Sequence, residues 1–206
     1  KNNKKTYQEM MFQAAELEYK KQHCPIYLNE QDDLYAIDFV KKNNLKTDKL
    51  IGVHIGSSLR WPSKAWAEQK VKDFVKRAKD KGYNVMLFAG PDEIEKHQKL
   101  VDELKKASIS VYQNDPRNSI KEFASLVNLC KVMVCSDTFA LHIALALKKP
   151  TIGLFFCTSP NEVENYGLLK KIVSPLIYDF FPEKQDQHNE ELVNSISIEE
   201  VLDALN

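Results

Sequence analysis

Long apolar runs are missing from this sequence. None approaches the roughly 20 residues that a bilayer-spanning helix needs, and the opening Lys1-Asn2-Asn3-Lys4-Lys5 is not followed by the apolar core of a signal peptide. Net charge is missing too: Lys and Arg total 29, as do Asp and Glu, so no global basic field argues for nucleic acid and no acidic tail argues for disorder. Any anion site must therefore be local. The four cysteines, Cys24, Cys130, Cys135 and Cys157, form no C-x-x-C pair and no metal-finger spacing. They read as reduced thiols of a soluble, cytoplasmic protein, with no metal site and no cofactor expected. Glycine is scarce, and Gly52, Gly56, Gly82, Gly90, Gly153 and Gly167 never assemble G-x-G-x-x-G, which weakens any case for a dinucleotide-dependent oxidoreductase. There is no internal repeat or low-complexity tract. Without an initiator methionine and with a polar, helix-like beginning, the chain is expected to be a piece of a longer polypeptide.

What is present is an alternation of apolar strands with amphipathic helices. Strands are expected at 50–55, 85–89, 109–112, 132–135, 151–156 and 172–173, with helices at 64–81, 91–107, 120–130, 138–147 and from Ser197 onward. Ser119 with Glu122 and Ser197 with Glu200 have the spacing of capping boxes. Strands separated by helices imply right-handed crossovers and a parallel α/β sheet. Ahead of this region, residues 6–22 place Tyr7, Met10, Met11, Ala14 and Leu17 on one helical face, a short strand is expected at 25–28, and Leu34, Ile37 and Val40 mark a second helix. The expected division is a connecting arm over 1–48 and a Rossmann-like domain over 49–206, with one long polar loop at 181–194.

Ligands of open parallel sheets bind at the carboxyl ends of strands, and three polar segments fall there. The first, Gly56-Ser57-Ser58-Leu59-Arg60-Trp61-Pro62-Ser63-Lys64, offers amides, hydroxyls and cations. Gly56 would let the backbone approach an anion closely. The second is Phe88-Ala89-Gly90-Pro91-Asp92-Glu93. The third is Ser136-Asp137-Thr138-Phe139-Ala140-Leu141-His142, where a strand turns directly into a helix whose first amides can meet a phosphate. Each has a plainer alternative: a polar turn at Ser57 and Ser58, a solvated helix-start lysine at Lys64, an acid favoured by the helix dipole at Asp92, an ordinary helix histidine at His142. Asp137 is expected to cap the helix beginning at Thr138, and Trp61 and Trp66 to pack and fix their loop.

In this order, together with Lys149-Pro150-Thr151-Ile152-Gly153-Leu154-Phe155-Phe156-Cys157-Thr158-Ser159-Pro160, these motifs resemble glycosyltransferase family 9, the ADP-heptose:lipopolysaccharide heptosyltransferases, over its C-terminal, donor-binding half from about Tyr7 onward. The resemblance implies a Rossmann-like parallel sheet with helices on both faces, one half of a bacterial GT-B enzyme. It implies an ADP-sugar donor held by Ser57, Ser58, Lys64, Asp92, Asp137, Thr138 and His142. The implied reaction is inverting, metal-independent transfer to a lipopolysaccharide-core acceptor. The catalytic base is expected in an N-terminal acceptor domain of the same polypeptide, and membrane contact is at most peripheral, at the inner face of the inner membrane. One departure stands out: Phe139 occupies a position that many relatives fill with glycine. It favours a second reading, a degenerate nucleotide-binding module without turnover; a GT-B epimerase or a different glycosyltransferase is a third. The loop 114–118 would face the nucleotide base.

Overall fold

The computed structural model describes residues 3–205. Six strands, β1 (Leu50–His54), β2 (Asn84–Phe88), β3 (Tyr112–Gln113), β4 (Val132–Ser136), β5 (Thr151–Phe155) and β6 (Leu169–Val173), form one sheet in the order β3-β2-β1-β4-β5-β6. Every pairing is parallel. The chain works outward from β1 to β3, then returns to lay β4 beside β1, so the direction of winding reverses between these two strands. That reversal opens a crevice at their carboxyl ends.

Both faces of the sheet are buried, which is why its central strands read as nearly continuous apolar runs. Ile51, Val53 and Val134 face one core cluster, packed against the stripe Val71, Phe74, Val75 and Ala78 of α3 (Glu68–Asp80) and against Leu100 and Leu104 of α4 (Ile94–Lys106). Leu50, Met133 and Cys135 face the other, against Phe123, Ala124, Leu126 and Val127 of α5 (Ile120–Leu129) and Ala140, Leu141 and Ala144 of α6 (Phe139–Ala146). The expected α/β architecture with helices on both faces is thus the observed one. The Ser119 and Ser197 boxes cap α5 and a last helix over Ile198–Asp203.

The arm departs from expectation. The helix foreseen over 6–22 stops early: α1 is Tyr7–Ala14. It closes where Glu16 turns left-handed (φ 57°), Leu17 N–H bonds Phe12 O (2.9 Å) and Glu16 N–H bonds Gln13 O (3.1 Å). This paired closing turn satisfies the last carbonyls. No residue of α1 is buried, and Tyr7 and Met11 are exposed. The segment 25–28 joins no sheet; Ile26 and Leu28 pack on the α5–α6 side, where Ile26 N–H reaches Ala146 O (3.4 Å). Pro25 has no N–H to give a ladder. α2 (Glu30–Asn43) then carries Tyr35, Phe39 and Val40 onto the same side.

Two shorter helices, α7 (Ile177–Phe180) and α8 (Glu190–Asn194), precede the last helix, α9, so the long loop foreseen at 181–194 ends in a helix. Asn189 caps α8 by accepting from Leu192 N–H (2.8 Å).

Gly52 sits at the middle of β1, where an added Cβ would lie 2.2 Å from Met133 Sδ and 2.9 Å from Cys130 Sγ. Gly52→Ala is expected to cost about 1–3 kcal/mol in urea unfolding, the penalty of overpacking a close-fitted core. A change under about 0.5 kcal/mol would show that these neighbours yield freely.

Candidate active site

The carboxyl edge of the sheet opens into a cavity of about 910 Å³, and all seven residues singled out from the sequence, Ser57, Ser58, Lys64, Asp92, Asp137, Thr138 and His142, line it. The loop after β1 is held from behind. The buried Ser63 hydroxyl donates to Gln187 O (2.8 Å) and accepts from Asn189 N–H (2.9 Å); Trp66 Nε1–H donates to Ile196 O (3.3 Å); Ala67 N–H bonds Val193 O (3.1 Å). The segment that looked like an unstructured loop therefore fixes the turn that carries Lys64.

From that turn, the Lys64 ammonium crosses the crevice and donates to Asp137 O (3.0 Å) and Asp137 Oδ2 (3.3 Å). It also lies over the Trp61 ring, 4.5 Å from its centroid. Trp61 is accordingly a wall of the cavity that cradles a cation, and so more than the packing residue expected; Trp66 is buried as foreseen. Arg60 stacks on the same ring at 5.0 Å and is not among the lining residues.

Asp137 does not cap α6. Thr138 takes the cap position with extended backbone and no side-chain cap hydrogen bond, while the Asp137 carboxylate lies between Lys64 and His142 Nε2, the latter at 3.6 Å. An ammonium and an imidazole N–H together outweigh one capping amide. Burial opposes its charge, but His142, Lys64 and Thr158 prevail and push Asp137 down to about 2. The first turn of α6 is consequently left without a capping side chain, and Thr138, Phe139 and His142 line the cavity there.

Two residues that the sequence did not single out complete the floor. His54 ends β1 within the cavity wall; its Nδ1 is 3.5 Å from Thr138 Oγ1, whose hydroxyl also lies 3.3 Å from Ser136 O. Burial, with Lys96 and His97 nearby, pushes His54 down to about 4, so the ring is neutral near pH 7. Glu93, next to the exposed Asp92, accepts from Gly90 N–H (2.7 Å), and its burial raises its carboxyl above the usual range. Its carboxylate fills the space above Gly56, where a Cβ would meet it at 2.4 Å. Gly56 is thus needed to admit Glu93, a closer constraint than the diphosphate approach first attributed to it. The signal was a position one residue along from the chosen acid; for His54 it was a place at a strand's carboxyl end.

Phe139 is half exposed, with its ring 5.6 Å from Phe123, which in turn meets Phe88 at 5.2 Å. With Pro116, Ile120 and Phe123 it forms an apolar end of the cavity, next to Asn118 of the loop expected to face a base. Among the described residues no cluster of His, Cys, Asp or Glu could hold a metal ion, and no helix is long and apolar enough to cross a membrane.

The family model for glycosyltransferase family 9 (heptosyltransferase) matches residues 5–194. Lipopolysaccharide heptosyltransferase 2 of Escherichia coli K12 is 27% identical over 111 residues, 53% of this chain and 30% of that protein. A family 9 glycosyl transferase structure from Veillonella parvula superposes with a TM-score of 0.80 at 20% identity, over 99% of this chain and 60% of that one. The structure of E. coli ADP-heptose lps heptosyltransferase II gives 0.72 at 21% identity, over 94% and 55%. The chain thus matches less than two thirds of the length of these relatives, and the structural likeness establishes the fold.

Because the folded-state value of Asp137, about 2, lies below its ordinary 3.8, its stabilisation is complete above about pH 4 and is lost as pH falls through about 2. The corresponding magnitude is about 2 kcal/mol. Asp137→Asn is expected to lower stability near neutrality by about that amount and to flatten the acid limb of a urea-derived stability profile. An acid limb identical to that of the native chain would show that the Lys64 and His142 contacts do not hold the carboxylate ionised.

Proposed function

The chain belongs to glycosyltransferase family 9, and from that premise we propose that it binds a nucleotide-diphosphate sugar, with ADP-heptose as the donor. It supplies the leaving-group side of an inverting, metal-independent transfer to the lipopolysaccharide core. In this reading residues 49–206 are the donor-binding domain, the C-terminal half of a GT-B enzyme, and residues 1–48 are the arm that connects it to an N-terminal acceptor domain carrying the catalytic base. Contact with the inner membrane would be peripheral.

The observation that carries this reading is the meeting of Lys64 with the uncapped N-terminus of α6 across the strand reversal. An ammonium has three protons, and two of them are directed at Asp137. The third remains for a phosphate oxygen. As the bond to the sugar breaks, negative charge grows on the departing diphosphate, so a charge-assisted contact from Lys64 and the α6 amides strengthens in the transition state. Thr138, Ser57 and Ser58 add hydroxyl and amide donors. His54, held neutral, can donate toward Thr138 without placing a second charge beneath the anion. The apolar end at Phe123 and Phe139 suits a planar base, with Asp92 and Glu93 beside it for ribose hydroxyls.

Calorimetry with ADP and AMP tests this reading. ADP is expected to bind more tightly than AMP, and Lys64→Ala to weaken ADP by about 1–3 kcal/mol with a smaller effect on AMP. Equal affinities for the two nucleotides, or an indifferent Lys64→Ala, would remove the diphosphate from this crevice.

Phe139 favours the second reading, a nucleotide-binding module without turnover, because its ring projects into the cavity. With the ring resting on Phe123, Phe139→Gly is expected to alter ADP affinity by less than about fivefold, or about 1 kcal/mol. A native chain that ignores ADP, joined with a glycine variant that binds it, would establish that the phenyl group blocks the site and would favour the second reading.

A further inference from the structure

The sheet order gives the cavity a direction. From one end to the other its wall is built by Pro116 and Asn118 after β3, Asp92 and Glu93 after β2, Ser57 and Lys64 after β1, Asp137 and Thr138 after β4, and Glu162 and Val163 after β5. Tyr7 and Gln8 of α1 close the β5 end, since Asn161 Nδ2–H donates to Asn3 O (3.3 Å) and the Tyr19 hydroxyl donates to Glu164 Oε2 (2.7 Å), tying the arm to the loop after β5. The Lys171 ammonium fixes the same loop by donating to Pro160 O (2.5 Å) and Val163 O (2.7 Å).

Two acceptors at this end have no donor. The half-buried Glu162 carboxylate makes no hydrogen bond or ion pair among the described residues, and the enclosed Gln8 Oε1 has no partner. The nearby cations are spent elsewhere, Lys171 on loop carbonyls and Lys64 on Asp137. Unpaired acceptors in a half-enclosed wall call for a ligand rich in O–H donors. With a base at the β3 end and the diphosphate at the strand reversal, the group that reaches the β5 end is the sugar.

Resting on the donor-site reading above, we propose that Glu162, with Gln8 beside it, forms the subsite for the hydroxyl groups of the donor's sugar and that Glu162 sets sugar specificity. The carboxylate accepts from the sugar hydroxyls, and α1 is the wall that holds the sugar against it. Neither residue belongs to the motifs that identify the family, so this end of the cavity distinguishes this chain's sugar from that of a relative with a different loop after β5.

The test measures ADP, ADP-heptose and ADP-glucose binding to the native chain, Glu162→Ala and Glu162→Gln by calorimetry, with circular dichroism and thermal melting to confirm folding. In Glu162→Ala, ADP affinity is expected to stay within about twofold or to tighten, because a negative charge is removed from the anion's vicinity. The ADP-heptose affinity is expected to fall about tenfold, the loss of a hydrogen bond to a charged group, with a smaller fall in Glu162→Gln, which keeps one acceptor. The preference for ADP-heptose over ADP-glucose should shrink in parallel. An unchanged ADP-heptose affinity, or equal losses for ADP and ADP-heptose, would overturn the subsite. So would a native chain that binds ADP but gains nothing from the sugar, and that result would leave the donor-site reading standing. A native chain that binds none of the three would overturn both.

Discussion

The bond from Lys64 to Asp137 joins the two halves of the sheet's winding at the place where they diverge, and the geometry of the cavity depends on it. β1 and β4 are paired neighbours, but the loops leaving them run to opposite sides, toward α3 and toward α6. A single ammonium bridges these loops by holding both the backbone carbonyl and the carboxylate of Asp137. The bridge is braced on one side by Ser63, which is locked between Gln187 and Asn189, and on the other by the His142 imidazole. Without that bracing the charged pair would have to order two flexible loops, and side-chain entropy alone would consume most of its benefit.

A chain with no net charge can hold a diphosphate only by concentrating a few positive contributions. A helix terminus offers roughly 0.3–1 kcal/mol, a charge-assisted hydrogen bond about 1.5–3, so Lys64 outranks the α6 dipole and the two together exceed either. Asp137 carries the opposite sign, yet a carboxylate paired with Lys64 and in contact with His142 presents little free charge to an incoming phosphate. Its role is to aim the ammonium. The neutral state of His54 follows the same economy of charge: a buried imidazolium under the site would need a partner, and the wall around it provides Thr138, Phe123 and further cations instead.

The fold was legible because local and tertiary preferences agree. Strands buried on both faces are apolar along their whole length, helices carry stripes such as Val71, Phe74, Val75 and Ala78, and two capping boxes announced their helices correctly. The arm was misread for the opposite reason. The apolar spacing of Tyr7, Met10, Met11, Ala14 and Leu17 suggested one helix over 6–22, but periodicity does not say what lies opposite, and tertiary bonds from Tyr19 and Tyr166 draw the chain out of helix after Ala15. Within the cavity, hydroxyls and cations beside strand ends were legible from type and place. The partners that decide their roles were not, since Asp137 with Lys64 and Ser63 with Asn189 are separated by 73 and 126 residues.

The acids anchored at the centre of the cavity are poorly placed to act as the general base of the proposed transfer. A general base must be unprotonated yet willing to accept a proton near the working pH. Asp137, held near 2 by its contacts with His142, Lys64 and Thr158, is ionised but a poor proton acceptor. Glu93 has the raised carboxyl that such a role would want, but one of its oxygens accepts from Gly90 and its side chain is wedged against Gly56, so an acceptor hydroxyl would have to displace a contact that shapes the floor. Both carboxylates are committed to positioning. Charge compensation for a departing diphosphate is what the proposed site leaves to them, because neither Asp137 nor Glu93 can take a proton without giving up a contact that shapes the floor.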